Sequence, residues 1–402
     1  MNILIIAPLL PFPLTDGGRK GVYYPVKYLS ERGHQIHYAC LVERNDETAI
    51  REMEKYCTLH TVIHSKKPTL IGAAKSLFSS TPYELSRFHN MELLRTIFDL
   101  LTRYTFDIVQ VEGIHSFFYG LEIKKKFDIP IVLRVHNVHS MNFLRLIENY
   151  QNPFLKLLLW YEARKILNYE CRESEKLDSN LAVSEVDRQI VLKQNKRNKC
   201  KVVPAGVDLS EFVYTENQTM DNSILWLGNL QWVPNQDSFW WFYNEIVPKI
   251  ILRKQDIQIN VVGSNPPQKI LDIKHPNVNI IGQVEDVREY LQRASVCVVP
   301  LRAGSGIRLK LLEMFAMKKA VVSTSVGCEG LNVKNGVHLL ISDEPSSFAD
   351  AVINLLQNEK LREQLSENCL LHVTEHFSWE KIAIEYEKAY QEVINNFPRR
   401  QS

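Results

Sequence analysis

Within ten residues, the segment Gly304-Ser305-Gly306-Ile307-Arg308-Leu309-Lys310-Leu311-Leu312-Glu313 places two glycines, two cations and a carboxylate. It follows the apolar run Val296–Pro300, which reads as a buried strand. The glycines mark a loop that needs permissive backbone. From Arg308 the pattern turns helical to about Met317, so two cations fall in the first turn, where they oppose the helix dipole. A bound anion removes that conflict. A diphosphate would take N–H groups from Gly306 and Ile307 and charge from Arg308 and Lys310. Glu313, one turn deeper, would accept from two vicinal hydroxyls such as those of a ribose. The plainer alternative is a Lys310–Glu313 surface pair at i, i+3.

Two further segments have the same character. Val132-Leu-Arg-Val-His136-Asn137-Val-His139 ends a strand, where ligands of parallel sheets bind. An imidazole there donates to a sugar hydroxyl or a phosphate oxygen, or is simply satisfied by a loop carbonyl. Near the N-terminus, Ile3–Ala7 reads as a strand and Asp16-Gly17-Gly18 precedes a helical pattern over Arg19–Arg32. Such a glycine pair suits phosphate approach, and equally makes a plain turn.

The elements that must hold these segments alternate through the chain. Strand candidates in the first half are Ile3–Ile6, Ile36–Cys40, Ile108–Val111, Ile131–Val135, Leu181–Val183 and Lys201–Val203. In the second half they are Ile224–Leu227, Gln258–Val262, Val278–Ile281, Val296–Val299, Ala320–Ser323 and His338–Ile341. Their doubly apolar, β-branched character fits parallel strands covered by helices on both faces. A polar break at Pro204–Asp221 suits a hinge between two doubly wound domains. Asn142–Lys176 reads as helical, with Phe154, Leu157, Leu158 and Tyr161 at helical spacing. It either covers the first sheet or lies on an acceptor lipid or membrane surface. The tail from Pro345 to Phe397 is helical throughout.

Composition excludes several classes. Net charge is +2 with 48 Lys+Arg against 46 Asp+Glu, so no global field favours nucleic acid. The seven cysteines are scattered, without a C-x-x-C pair, which argues for free thiols in a reducing compartment and against zinc. The first apolar run is short and stopped by Pro8, unlike a signal peptide, and no run has transmembrane length. The expected location is the cytoplasm, or at most the inner face of the membrane as a peripheral protein.

In order and spacing, these segments resemble the retaining GT-B glycosyltransferases of family 4 over nearly the whole chain. Asp16-Gly17-Gly18, Gly33-His34, His136-Asn137, Val183-Ser-Glu-Val-Asp187, Ala205-Gly-Val-Asp208, Leu227-Gly-Asn229-Leu230, Gly304 to Glu313, Ala320-Val-Val-Ser-Thr324, Gly327-Cys-Glu-Gly-Leu331 and Phe377-Ser-Trp379 carry the likeness. The resemblance implies two Rossmann-like domains facing a cleft. Residues 1–206 would form the acceptor side, 207–377 the nucleotide-sugar donor side, and 378–402 a helix crossing back. It implies His136, Arg308 and Lys310 as catalytic residues. Gly17, Gly18, Asn229, Gly304, Ser305, Gly306, Ile307 and Glu313 would hold the donor.

The chain departs from the family pattern at two places. Ser305 stands where many members carry the first of two glutamates. Asn229 and Pro234 stand where many carry the arginine and lysine that grip the diphosphate. Arg308 and Lys310 are expected to take over that charge; the alternative is a lost donor site. What the resemblance implies is hexose transfer with retention from a nucleoside-diphosphate sugar to a glycan or polyprenyl/lipid-linked acceptor. The leaving diphosphate itself would accept the acceptor proton, with no metal and no other cofactor. Two other readings are an epimerase acting on the donor alone and a non-catalytic nucleotide-sugar binder or scaffold.

Overall fold

The computed structural model describes residues 1–65, 76, 79, 81–136, 140, 152–215, 220, 222–304 and 306–398, apart from the Cys171 side chain. The chain divides into two compact units, Met1–Pro204 with Ile382–Ser402, and Ala205–Lys381.

In the first unit seven strands form one parallel sheet. They are β1 (Asn2–Ala7), β2 (Gln35–Val42), β3 (Thr58–Ile63), β4 (Ile108–Glu112), β5 (Ile131–Val135), β6 (Ser179–Ala182) and β7 (Cys200–Val202). Their order is β3-β2-β1-β4-β5-β6-β7, and every ladder is parallel. Ile3 to Ala7 are fully buried, as expected of a strand covered on both faces. Order reverses between β1 and β4, so a crevice opens at their carboxyl ends. The sequence reading found six of these strands. It missed β3, an edge strand with only Val62 buried, whose alternation of partly exposed threonine and histidine carries a weak apolar signal.

In the second unit six parallel strands are β8 (Ser223–Leu227), β9 (Gln258–Val262), β10 (Val278–Gly282), β11 (Val296–Val299), β12 (Ala320–Ser323) and β13 (Leu340–Ile341). Their order is β10-β9-β8-β11-β12-β13, which puts the reversal between β8 and β11. The core packs Trp226, Phe239, Phe242 and Phe348 among strand valines and isoleucines.

Three helices, Pro345–Gln357, Glu359–His376 and Trp379–Asn395, make up the expected helical tail. The last of them anchors to the first unit. Glu387 takes a bidentate pair from Arg32, at 2.7 and 2.8 Å, and also meets His34 Nε2 at 2.8 Å. Tyr386 packs under the buried Arg134 guanidinium, 5.1 Å from its ring centre. Arg134 in turn donates to the carbonyls of Leu181, Val203 and Pro204, tying down the end of the unit.

Of the Asn142–Lys176 segment, the structure describes a helix over Pro153–Cys171, started by the Asn152 side chain, and a short turn over Glu173–Lys176. Residues 142–151 lie outside the described residues. The helix buries Ala163 and Ile166 inward, yet leaves Phe154 and Leu157 more than 60% exposed beside Trp160 and Tyr161. Among the described residues no helix is long and apolar enough to cross a membrane.

Candidate active site

In the first unit a cavity of about 380 Å³ lies at the β1/β4 reversal. Its lining includes Ala7 and Pro8 after β1, Asp16, Gly18 and Arg19 at a helix start, Glu112 and Gly113 at the end of β4, and His136 after β5. The glycine segment and the histidine segment therefore share one pocket. Gly17 and Gly18 open the helix Gly17–Glu31, whose first turn is closed by Asp16 Oδ1 accepting from Arg19 N at 3.0 Å. That shifts the helix start to Gly17, two residues before the expected Arg19. Arg19 is held at the pocket edge, its Nη1 donating to the Leu10 carbonyl at 3.2 Å. Asn137 and His139 lie outside the described residues.

His136 carries a partner that sequence reasoning missed. Its Nε2 lies 2.7 Å from Glu112 Oε2, and Glu112 is 1% exposed. Gly113, at φ 68°, turns the chain sharply after Glu112 and leaves room for the ring. A β-carbon there would lie 3.7 Å from His136 Cδ2, and one on Gly21 would lie 3.6 Å from Nδ1. The imidazole thus fits between two glycines. One sequence signal did exist: Gln110 and Glu112 sit at i, i+2 in an otherwise apolar central strand, hence on one face. A buried polar pair there is costly unless partnered.

In the second unit the ends of β8 and β11 lie side by side at the reversal. Leu227 is followed by the Gly228-Asn229 turn, and Val299 by the loop to Gly306. Gly304 and Gly306 have φ of 128° and 78°, the permissive backbone expected of them. A β-carbon on Gly304 would come within 2.9 Å of the Trp232 ring and 2.8 Å of the Arg308 guanidinium. Ser305 lies outside the described residues. The helix that follows runs over Leu309–Ala316, with Arg308 as its extended N-cap. It starts one residue later than expected, because Arg308 takes the capping conformation and leaves Lys310 as the cation of the first turn.

Both cations are turned toward backbone carbonyls. Arg308 is 6% exposed and its Nη1 donates to Gly306 O at 2.6 Å. Lys310 Nζ donates to Leu227 O at 2.7 Å and to Asn235 Oδ1 at 3.3 Å, with the Trp226 ring centre 5.3 Å away. Burial pulls the Lys310 pKa down to about 7; the Arg308 charge adds to this and Glu313 opposes it. Glu313 is itself buried, at 5% exposure, and so is not half of a surface pair. Ile307 is partly exposed in the loop. Asn229 closes its own turn, its side chain accepting from Gln231 N at 2.9 Å and its carbonyl accepting from Asn235 Nδ2 at 2.8 Å. Asn235 therefore joins the Asn229 turn to Lys310.

Two family models match the chain. Glycosyltransferase Family 4 matches residues 15–211, and Glycosyl transferases group 1 matches residues 221–358. An uncharacterized 44.6 kDa protein in the cps region of Klebsiella pneumoniae is 23% identical over 393 residues, covering 95% of this chain and 97% of that protein. Among solved structures, sucrose-phosphate synthase from Thermosynechococcus elongatus superposes with a TM-score of 0.71 at 16% identity, covering 98% of this chain and all of that one. The Anabaena protein HepE, solved in complex with UDP-glucose, superposes at 0.67 and 11% identity, covering 98% and 100%.

Proposed function

This chain belongs to the group 1, family 4 glycosyltransferases and has the GT-B fold, and we propose that it moves a hexose from a nucleoside-diphosphate sugar to a hydroxyl of a glycan or lipid-linked acceptor, with retention, in cell-surface polysaccharide synthesis. The observation that carries this reading is the pocket at the β1/β4 reversal, where the helix start at Gly18 and the Glu112-backed His136 meet. The cps-region relative supports the polysaccharide assignment. The UDP-glucose complex of HepE supports a nucleotide-sugar donor.

In this reading the Gly304–Glu313 segment takes the nucleotide. Gly306 and Ile307 offer N–H groups to the diphosphate, Arg308 and Lys310 lend it positive charge, and Glu313 takes the ribose hydroxyls. The bond from the anomeric carbon to the diphosphate breaks, the bond to the acceptor oxygen forms on the same face, and the acceptor proton passes to the departing phosphate. His136 orients sugar or acceptor hydroxyls. No metal takes part, so chelators leave the rate unchanged. The exposed Phe154–Tyr161 face rests on an anionic membrane surface, where Trp and Tyr favour the interface and Arg164, stacked 4.1 Å over Trp160, reaches the headgroups.

A second reading has one observation in its favour. Arg308 and Lys310 are bonded to carbonyls, which suits a donor-binding protein that does not turn over. A thermal-shift screen of nucleoside diphosphates and nucleotide sugars separates the readings when followed by product analysis. Binding to the folded state raises the Tm. The transfer reading expects a shift with at least one nucleotide, its loss in Arg308→Ala and Glu313→Ala, and an anomeric product signal of unchanged configuration. Binding without product under a broad acceptor panel favours the second reading. No shift with any nucleotide sinks both.

A further inference from the structure

The polar groups behind His136 form one directed chain that begins on the C-terminal helix. Tyr390 is fully buried, and burial holds its phenol well above the ordinary range, so the hydroxyl stays protonated and can donate. It donates to Gln110 Oε1, 280 residues earlier in the chain. That fixes the Gln110 amide, whose Nε2 donates to Glu112 Oε1. Gln110 and Glu112 are 0% and 1% exposed, so water does not compete for either. The second carboxylate oxygen of Glu112 faces His136 Nε2 at 2.7 Å. An ionised carboxylate only accepts, so Nε2 must carry the proton. In the neutral imidazole, Nδ1 is then left as a lone pair.

We propose that Tyr390 and Gln110 are positioning residues which, acting through Glu112, hold His136 as its Nε2–H tautomer, so that Nδ1 accepts a hydrogen bond from a ligand hydroxyl. The sequence reading had the imidazole donating to a hydroxyl or a phosphate. The relay reverses that polarity, because the donor edge of the ring is spent on Glu112. A phosphate oxygen offers no proton to a lone pair and is disfavoured at this edge. A sugar or acceptor hydroxyl, which can donate, fits it. That the hydroxyl belongs to a transferred sugar or its acceptor rests on the function proposed above; the tautomer does not. The relay also gives the last helix a part in the site beyond anchoring. The two links from Tyr390 to Gln110 and from Gln110 to Glu112 are buried, so the loss of either strands a polar group.

The test uses the full chain labelled with ¹⁵N-histidine, with His136→Ala to assign the ring signals. Long-range proton–nitrogen spectra at a pH where the ring is neutral read its tautomer directly. Wild type is expected to show Nε2–H and an unprotonated Nδ1. In Tyr390→Phe the Gln110 amide is released, the tautomers mix, and kcat falls by roughly tenfold with donor KM within about twofold. Tyr386→Phe is the control: it is an equally buried phenol one turn earlier on the same helix, outside the relay, and it leaves tautomer and kcat as in wild type. Glu112→Gln provides a second variant, because its amide opposes that of Gln110 and must disturb the same tautomer. An Nδ1–H tautomer in wild type, or a Tyr390→Phe protein with unchanged tautomer and rate, overturns the relay. Should both relay variants fail to fold, the wild-type spectrum decides alone. A wild-type protein that transfers no sugar defeats the transfer reading and leaves the spectra to judge the relay.

Discussion

Lys310, in the first turn of its helix, reaches the carbonyl of Leu227, the last residue of β8, at 2.7 Å. The ammonium thereby joins the two loops that flank the sheet reversal of the second unit. Its pKa, lowered to about 7 by burial, has a consequence for binding. Near pH 8 most of the free protein carries neutral Lys310. A diphosphate beside it raises the pKa and draws in a proton. Nucleotide affinity should therefore fall as pH rises from 7 toward the ordinary lysine range. Calorimetry at pH 8 in buffers of different ionisation heat should show uptake approaching one proton per nucleotide, absent in Lys310→Met. Zero uptake by wild type would place the diphosphate away from this ammonium.

Gly306 provides a test of the loop. Its φ of 78° lies in the left-handed region, where an L side chain is strained. Gly306→Ala is expected to cost about 1–2 kcal/mol, and the cost falls on the loop that presents N–H groups to the nucleotide. The variant should unfold a few degrees lower and lose the nucleotide-induced Tm shift. A variant with an unchanged shift would remove these N–H groups from the donor site.

Glu387 makes the attachment of the last helix pH-dependent. The Arg32 guanidinium, and after it His34, hold its carboxyl below the ordinary value of 4.5. A depressed carboxyl contributes stability above the ordinary value and loses it as pH falls through the folded one. The group is partly exposed, so its contribution is about 1 kcal/mol or less. The Tm difference between wild type and Glu387→Gln should be present at pH 7 and vanish as pH drops below 4. A constant difference across that range would show that the pair does not titrate with folding.

How much of this was legible depended on the range of the interactions. Buried β-branched runs such as Ile3–Ile6 and Val296–Val299 announce themselves locally, because both faces are covered and no polar residue interrupts. The edge strand Thr58–Ile63 did not, because only Val62 is buried. The glycine pair Gly304/Gly306 was readable as a backbone requirement, and both do take positive φ. The direction of Arg308 and Lys310 was not. Helix-dipole reasoning sees the helix start, but the carbonyls of Gly306 and Leu227 that hold these cations are set by tertiary packing. Glu112 was hidden for the same reason. Its partners His136 and, through Gln110, Tyr390 meet only when β4, β5 and the last helix are assembled.

The Pro153–Cys171 helix turns an apolar face outward, and the membrane assignment stands or falls with it. Phe154, Leu157, Trp160 and Tyr161 recur at about helical spacing, on the side opposite the buried Ala163 and Ile166. Inserting such side chains into the headgroup boundary gains about 1.5–3 kcal/mol for each one fully buried. Replacing one by a carboxylate removes that gain and adds repulsion from anionic lipid. Wild type should cosediment with vesicles containing phosphatidylglycerol and less with neutral ones. Leu157→Glu or Trp160→Glu should weaken binding to the anionic vesicles by tenfold or more. Neither residue is a core residue, so the Tm should stay close to wild type. Turnover of a short water-soluble acceptor should also persist, while turnover of a vesicle-borne acceptor falls with the binding. Equal cosedimentation of wild type and both variants would mean that this face meets something other than lipid.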